Sequence, residues 1–138
     1  MLPDPIKSLI LNEQARLSNR LVEGIDIHRY LAKLSERAEI LSDSAEGRCR
    51  GLVAFYCNDY ETKHAFVTLV VVDPRDRRLG IGASLLSCAL ALAKRRGFTS
   101  CRLEVATDNE AAQAMYRSLG FRRVVGTGSG KDVLEIGL

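Results

Sequence analysis

The sequence predicts one domain, residues 1–138, of the α+β (mixed α/β) class, with two N-terminal helices before the first clear strand. Apolar residues recur at helical spacing in residues 6–21 and 26–38, and β-branched and aromatic runs follow from residue 51. Helix-like and strand-like segments then alternate to the end. A chain of 138 residues has the size of one domain and buries roughly two-thirds of its unfolded surface. We therefore expect a central mixed sheet flanked by helices.

The first helices are predicted at residues 6–21 and 26–38. Leucine and isoleucine recur there at three- and four-residue spacing, and Gly24 separates the two segments. A weak strand is predicted at residues 40–41. The polar run at residues 42–48 has no alternating apolar pattern and is predicted to be a turn.

A hairpin and a helix are predicted in the middle of the chain. Residues 51–57 and 65–72 are rich in β-branched and aromatic side chains, and a polar run lies between them. They predict two antiparallel strands, the second ended by Pro74. An amphipathic helix follows at residues 83–96 and stops at Gly97.

The last part of the chain predicts a strand, a helix and a closing strand pair. The strand lies at residues 102–105, and a capping-box pattern at residues 107–110 opens a helix that runs to Leu119. Residues 121–126 and 133–136 then predict two strands joined by a flexible, glycine-rich hairpin loop.

Composition argues against several kinds of partner. The formal net charge of +3, with dispersed basic residues, predicts no nucleic-acid partner. No apolar run approaches the ~20 residues of a membrane span. The N-terminal segment carries no secretory signal, and the spacing of the four cysteines matches neither a metal site nor a disulfide framework. We expect a cytoplasmic protein with reduced thiols, no membrane association and no metal.

The most informative segment is a glycine turn. Gly80 and Gly82 lie between an apolar strand and an amphipathic helix. Glycine lets the backbone turn sharply and approach a ligand closely, and the following helix presents unpaired N–H groups and its positive dipole end. Arg75, Arg77 and Arg78 add positive charge to the same segment. The arrangement predicts a binding site for phosphate groups.

Two nucleotide-binding motifs fit the sequence poorly. The glycine turn lacks the third glycine of the dinucleotide-binding fingerprint, and the strands before it form a hairpin rather than a repeated βαβ unit. Residues 126–131 resemble a triphosphate-binding loop, but Val125 stands in place of its first glycine and Asp132 in place of Ser or Thr. We interpret that segment as a hairpin loop.

Two motifs, in order, resemble those of the GNAT superfamily, the acetyl-CoA-dependent N-acetyltransferases. The sequence R-R-L-G-I-G at residues 77–82 matches the pattern R/Q-x-x-G-x-G/A between a strand and a helix. The second motif runs from Asn109 through Tyr116 to Phe121. The likeness covers roughly residues 50–137 and implies a GNAT-like mixed sheet.

The resemblance implies acetyl-CoA as the acyl donor, without a metal. The pyrophosphate would lie on backbone N–H groups of the glycine turn, and the pantetheine arm would pair with the preceding strand. A backbone N–H near Val70 would polarise the thioester carbonyl. The implied cofactor-binding residues are Val70, Val71, Val72, Arg77, Arg78, Leu79, Gly80, Ile81, Gly82, Ala83, Asn109 and Tyr116.

Glu104, Asn109 and Tyr116 are similar to a pattern in bacterial ribosomal-protein alanine N-acetyltransferases, in which the glutamate is the proposed base and the tyrosine the acid. The resemblance implies that Glu104 takes the amine proton, directly or through water, and that Tyr116 protonates the CoA thiolate. In the alternative interpretation, Glu104 only pairs with Arg102 or a lysine, and Tyr116 is a core residue packed on Ala112. Asn109 fits both a helix cap and a pantetheine contact.

The expected reaction is direct transfer of an acetyl group to a primary amine within a ternary complex. A small-molecule amine is favoured as acceptor, and the alternatives are a protein N-terminal or lysine amine, or a non-catalytic acyl-CoA-binding module. Phe55, Tyr56 and Tyr60 are candidates for the acceptor pocket wall, although core packing explains the first two equally well. Closing strands in this family often pair across dimers, so the resemblance also allows a homodimer.

Overall fold

One mixed β-sheet organises the part of the chain that the computed structural model describes, residues 1–126 and 130–138. Its strand order is β1-β2-β3-β4-β6-β5, and the pairing is antiparallel except between β3 and β4. The strands are Glu39–Ala45 (β1), Arg48–Tyr56 (β2), His64–Val72 (β3), Ser100–Ala106 (β4), Arg122–Gly126 (β5) and Lys131–Gly137 (β6). The helices are Asp4–Arg16 (α1), Ile27–Arg37 (α2), Ile81–Arg95 (α3) and Glu110–Ser118 (α4), with a short 3-10 helix at Pro74–Asp76. The predicted fold class is confirmed.

Each face of the sheet buries its own apolar cluster. Helices α1 and α2 cover one face, the α1–α2 face, and α3 and α4 cover the other, the α3–α4 face. Strand β2 shows the alternation that a two-sided sheet requires, because Val53 and Phe55 join the α3–α4 cluster whereas Leu52 and Ala54 join the α1–α2 cluster. The middle of β2 is therefore apolar on both sides.

The first helix is shorter than predicted. Helix α1 ends at Arg16, whereas the apolar spacing extends to residue 21. Ser18 and Asn19 adopt φ values of 53° and 64°, which a right-handed helix does not allow. Helix α2 is confirmed, and its Asp26 carboxylate accepts a hydrogen bond from the His28 N–H at 2.7 Å as an N-cap.

The predicted polar turn at residues 42–48 is wrong. Residues up to Ala45 continue strand β1, and the turn is confined to Glu46 and Gly47, with φ values of 53° and 74°. Strand β1 is an edge strand, so its polar side chains reach solvent or an ion pair, such as Asp43 with the Arg50 guanidinium at 2.7 Å. Pairing with β2 thus outweighs the weak strand propensity of this segment.

The remaining elements are confirmed, and their boundaries lie within three residues of the predicted ones. The hairpin of β2 and β3, helices α3 and α4, strand β4 and the antiparallel closing pair β5 and β6 are all present. Gly97 and Gly120, with φ values of 85° and 108°, follow α3 and α4 as expected. Residues 127–129, which the hairpin-loop prediction includes, lie outside the described residues.

The parallel strands β3 and β4 separate halfway along their length. Their register within the described strands runs from His64 opposite Ser100 to Val67 opposite Leu103. The register between β2 and β3 shifts at the same level, because Phe55 faces Val67 and Ala54 faces Leu69, which leaves Thr68 as an extra residue. Such a bulge bends a strand and increases its twist. The sheet therefore opens into a cleft toward the C-terminal ends of β3 and β4.

An ion-pair network joins the loop after β3 to strand β2. Arg48 binds Asp76 through two hydrogen bonds of 2.6 and 3.2 Å and reaches Asp73 at 3.3 Å. Asp73 accepts from the Arg75 side chain at 2.9 and 3.1 Å and from the Arg75 backbone N–H at 3.0 Å. Both carboxylates are buried, so the network fixes the path of the chain into the glycine turn.

The network predicts an acid-sensitive loss of stability. Hydrogen bonds from Arg75 lower the pKa of Asp73 from 3.8 to about 2. A lowered folded-state pKa stabilises the protein above the ordinary pKa, and this contribution is lost as the pH falls from about 4 to about 2. In urea unfolding, Asp73→Asn is expected to be less stable than wild type near neutral pH, with a difference that shrinks below about pH 4. A difference independent of pH would contradict this assignment.

Candidate functional site

The glycine turn has the backbone geometry of an anion site. Gly80, with a φ of +76°, is the N-cap residue of α3, and no side chain caps this end of the helix. The first turn of α3 also carries no acidic residue. Its N–H groups are therefore open to a ligand, and the positive end of the helix dipole faces the same space.

Close packing against strand β2 holds the start of α3 in place. A Cβ atom on Gly51 of β2 would lie only 2.7 Å from Ile81 Cγ2, so a glycine is needed for the first residue of α3 to approach the strand. Ile81 is itself buried, at 7% exposure. The sequence offers no signal for this role, because Gly51 and Ile81 meet only in the folded sheet.

A cavity of about 310 Å³ lies between β3, the glycine turn and α4. A Cβ atom on Gly82 would lie 3.4 Å from Val72 Cγ2 and 3.7 Å from Met115 Sδ, so the absence of a side chain helps to keep the space open. The residues that line the cavity are Val70, Val72, Asp76, Arg77, Arg78, Gly80, Ile81, Gly82, Ala83 and Met115.

Most predicted cofactor residues line this cavity, and four do not. Val71 packs into the α1–α2 cluster, because alternate residues of a strand point to opposite faces. Leu79 points outward and is 63% exposed. Asn109 and Tyr116 belong to α4 and its cap, but the cavity lining among the described residues includes neither.

The sequence interpretation missed Asp76 and Met115 as lining residues. Met115 falls within the second motif, next to Tyr116, so its position on α4 was a usable signal. The sequence carries no such signal for Asp76, because its partner Arg48 lies 28 positions earlier in the chain. Its carboxylate is held by Arg48, and this contact lowers its pKa below the ordinary value.

The positive charge of the turn is partly neutralised. Arg75 pairs with Asp73 at 2.9 Å, and Arg77 lies 3.5 Å from Glu13 of α1. Arg78 has no ion pair within the described residues and lines the cavity. Arg78 is thus the arginine of the three that remains unpaired in the described part of the turn.

Glu104 lies on strand β4 at the point where the cleft opens. Its neighbours Leu103 and Val105 face the α3–α4 cluster, so its side chain points to the opposite face, where it is exposed. Arg102 pairs with Glu135 at 3.1 Å instead of with Glu104. Glu104 has no ion pair or hydrogen bond within the described residues, so the expected alternative, a pair with Arg102 or a lysine, is absent there.

Tyr116 is buried in the α3–α4 cluster at 8% exposure. Its ring packs edge-on against Phe121, with centroids 5.9 Å apart. Burial raises the pKa of Tyr116 to about 12, so the phenol stays protonated at neutral pH. Its hydroxyl has no hydrogen-bond partner within the described residues and remains available as a donor. Core packing and a donor role are compatible in this geometry.

Asn109 acts as the N-cap of α4, as one of the two expected roles requires. Its side-chain oxygen accepts a hydrogen bond from the Ala112 N–H at 3.2 Å. The amide remains exposed at the end of the helix. A contact with a pantetheine arm is not tested by this arrangement and remains a prediction.

The aromatic candidates for the acceptor wall serve core and surface packing. Phe55 is 1% exposed in the α3–α4 cluster, and Tyr60 packs edge-on against Phe98 at 5.2 Å. Tyr56 pairs with Phe66 near the start of β3, where β3 and β4 are still joined. This end of the sheet lies opposite the glycine turn, so the structure supports the packing interpretation.

The four cysteines are free, and Cys88 is exposed on α3. Within residues 1–126 and 130–138, no cluster of three or more His, Cys, Asp or Glu side chains is arranged to hold a metal ion. The helices in these same ranges are too short or too polar to cross a bilayer.

Parts of this sequence are similar to those of known acetyltransferases. A mycothiol acetyltransferase from Clavibacter michiganensis is 36% identical over 83 residues, which cover 60% of this chain and 26% of that protein. The ribosomal protein bS18-alanine N-acetyltransferase of Escherichia coli K12 is 36% identical over 70 residues, which cover 51% of this chain and 47% of that protein. The chain thus spans about a quarter and about half of these relatives.

A solved structure shares the fold. The PaiA N-acetyltransferase of Thermoplasma acidophilum, in complex with coenzyme A, superposes with a TM-score of 0.70 at 16% identity over 100% of this chain and 81% of that one. A family model described as the acetyltransferase (GNAT) family matches residues 11–121, which include strands β1 to β4 and the glycine turn. This protein therefore belongs to the GNAT acetyltransferase family.

Proposed function

We propose that this protein transfers an acetyl group from acetyl-CoA directly to a primary amine within a ternary complex. The observation that carries the proposal is the separation of β3 and β4 beyond Val67 and Leu103, next to the open N-terminus of α3. The separated strands leave backbone groups free to pair with an amide-bearing arm, and the helix N-terminus suits a phosphate. Both features favour a CoA thioester as donor.

The donor would bind mainly through backbone groups. Its pyrophosphate would accept hydrogen bonds from the N–H groups of the turn before and within the start of α3, assisted by the Arg78 guanidinium. Its pantetheine arm would lie along β3 beside Val70 and Val72. Coenzyme A in the related PaiA structure supports this choice of donor.

Glu104 is the proposed acceptor of the amine proton. An alkylammonium group has a pKa near ~10 and must lose a proton before its nitrogen can attack. Glu104 is exposed, lies at the mouth of the cleft and forms no competing ion pair within the described residues. An ordinary carboxylate is a weak base toward an ammonium, so transfer through a bound water suits this open position.

The acetyl carbon then exchanges its bond to the CoA sulfur for a bond to the amine nitrogen. The amine nitrogen forms a C–N bond to the acetyl carbon, and a β3 backbone N–H near Val70 stabilises the developing oxyanion. When the C–S bond breaks, the Tyr116 hydroxyl donates its proton to the departing thiolate in concert with the cleavage, and the phenolate regains a proton from solvent water. The pKa of Tyr116, about 12, exceeds the ~8.5 of a thiol, so hydrogen-bond donation in concert with bond cleavage is favoured over full prior transfer.

A small-molecule amine is the favoured acceptor, and a protein amine is the second candidate. The name of the Escherichia coli relative, an alanine N-acetyltransferase acting on a ribosomal protein, supports the second candidate. The name of the Clavibacter relative, a mycothiol acetyltransferase, supports the small-molecule acceptor. The third candidate is a non-catalytic module, which would bind acyl-CoA at the same donor site but would transfer no acetyl group.

Thiol release and melting temperature together test the proposed function. Coenzyme A is expected to raise the melting temperature, because a ligand that binds only the folded state stabilises it. Acetyl-CoA is expected to release free thiol only with an effective acceptor, in a panel of small primary amines, peptides with free N-termini and lysine peptides. Stabilisation without turnover across the panel would support the binding module instead, and no stabilisation would reject the donor site.

Replacement of the Tyr116 hydroxyl should slow the chemical step. The Tyr116→Phe variant keeps the ring packed on Phe121, so its fold and CoA affinity are expected to match wild type. Turnover at saturating acceptor is expected to fall about 100-fold, as for loss of a general acid. Tyr60→Phe, which changes a tyrosine that is 55% exposed, serves as the control. Full activity of Tyr116→Phe would reject the acid role.

Replacement of the Glu104 carboxylate should impair proton removal from the acceptor. Glu104→Gln is expected to lower kcat/KM about 100-fold at neutral pH, with partial recovery at high pH as more amine becomes neutral. The control is Glu135→Gln, which removes a carboxylate of the same sheet face that only pairs with Arg102. Equal losses in the two variants would indicate a general charge effect rather than a base.

A further inference from the structure

The hydroxyl of Tyr30 makes an unusual contact across the α1–α2 face. It lies 3.3 Å from the Thr68 carbonyl oxygen and 2.8 Å from Thr68 Oγ1. With one proton on each hydroxyl, Tyr30 can donate to the carbonyl while Thr68 donates to Tyr30. One side chain of α2 thus binds both the backbone and the side chain of one residue in β3.

Thr68 is the bulge residue of β3. It is the extra residue between the pairs Phe55–Val67 and Ala54–Leu69, so its backbone lacks the regular partners of a strand. Thr68 is half-buried, and its carbonyl accepts a hydrogen bond from the Tyr30 hydroxyl in place of a strand partner. Burial raises the pKa of Tyr30 to about 12, which keeps that donor protonated.

The same residue marks the start of the cleft. Pairing of β3 with β4 ends at Val67, immediately before Thr68, and Val70 lines the cavity two residues later. The conformation of the bulge therefore sets the direction in which the free edge of β3 leaves the sheet. A contact that fixes the bulge also fixes the backbone N–H groups that follow it.

Tyr56 is a matched comparison for Tyr30 within the same cluster. It packs against the same α1–α2 cluster as Tyr30. Its hydroxyl is buried without a hydrogen-bond partner in the described structure. Two tyrosines of one cluster thus differ in what their hydroxyls bind, and only that of Tyr30 reaches the bulge.

We propose that Tyr30 is a positioning residue that holds the Thr68 bulge so that the free N–H groups of β3 face the thioester carbonyl of the bound donor. The proposal rests on the proposed function, because it assumes an acyl-CoA in the cleft. The pyrophosphate end of the donor lies at the glycine turn, away from Thr68. Loss of the Tyr30 hydroxyl should therefore affect recognition of the acyl group and leave binding of the nucleotide end intact.

The test compares acetyl-CoA with CoA in wild type, Tyr30→Phe and Tyr56→Phe. Calorimetric titration gives the ratio of the two dissociation constants, and the ¹³C shift of [1-¹³C]acetyl-CoA reports polarisation of the bound carbonyl. In Tyr30→Phe, acetyl-CoA is expected to bind about three- to tenfold more weakly relative to CoA, the effect of one misdirected hydrogen bond. The carbonyl shift is expected to move toward that of free acetyl-CoA. Tyr56→Phe, the matched control, should leave both readouts at wild-type values.

The outcomes separate the two proposals. Wild-type protein that binds neither ligand would reject the proposed function and this inference with it. Wild-type protein that binds both, with an unchanged ratio and carbonyl shift in Tyr30→Phe, would overturn the inference alone. Equal weakening of CoA and acetyl-CoA would also overturn it, because that pattern indicates general destabilisation. If Tyr30→Phe unfolds at the assay temperature, the same comparison is made at a temperature below its melting point, and an unchanged ratio there overturns the inference.

Discussion

The site depends on one constraint, the bulge at Thr68 where strand β3 leaves strand β4. A regular parallel pair would satisfy all backbone groups between the two strands and leave no room for a ligand. The extra residue bends β3, so the strands share pairs only at their N-terminal halves. The separation leaves a free edge of β3 beside the cavity that Val70 and Val72 line.

Other contacts hold the elements around the separated strands in place. The ion pairs of Arg48 with the buried carboxylates of Asp73 and Asp76 tie the loop after β3 back to β2. Gly51 lets the first turn of α3 pack on the same strand, which fixes the N-terminus of the helix next to the cavity. Apolar clusters on both faces hold the paired halves of the strands together. The free edge is thus supported by rigid elements around it.

Sequence reasoning succeeded where a structure is encoded locally and failed where it depends on distant residues. The hairpin of β2 and β3 and helix α3 follow from side-chain patterns within a few residues. Only residues 40–41 of strand β1 were predicted, because its polar residues form a strand only through pairing with β2. The end of α1 was missed because its apolar spacing continues past Ser18 and Asn19, whose backbone leaves the helix.

The sequence by itself determined the donor side of the site. The glycine spacing at residues 80–82 and the strand and helix around it dictate a backbone that can hold phosphate, and this geometry depends only on neighbouring residues. Tertiary structure alone decided which arginine of the turn stays unpaired, that Tyr116 is buried and that Tyr30 reaches Thr68. These features join residues far apart in the chain, and their contacts exist only once both faces of the sheet have packed.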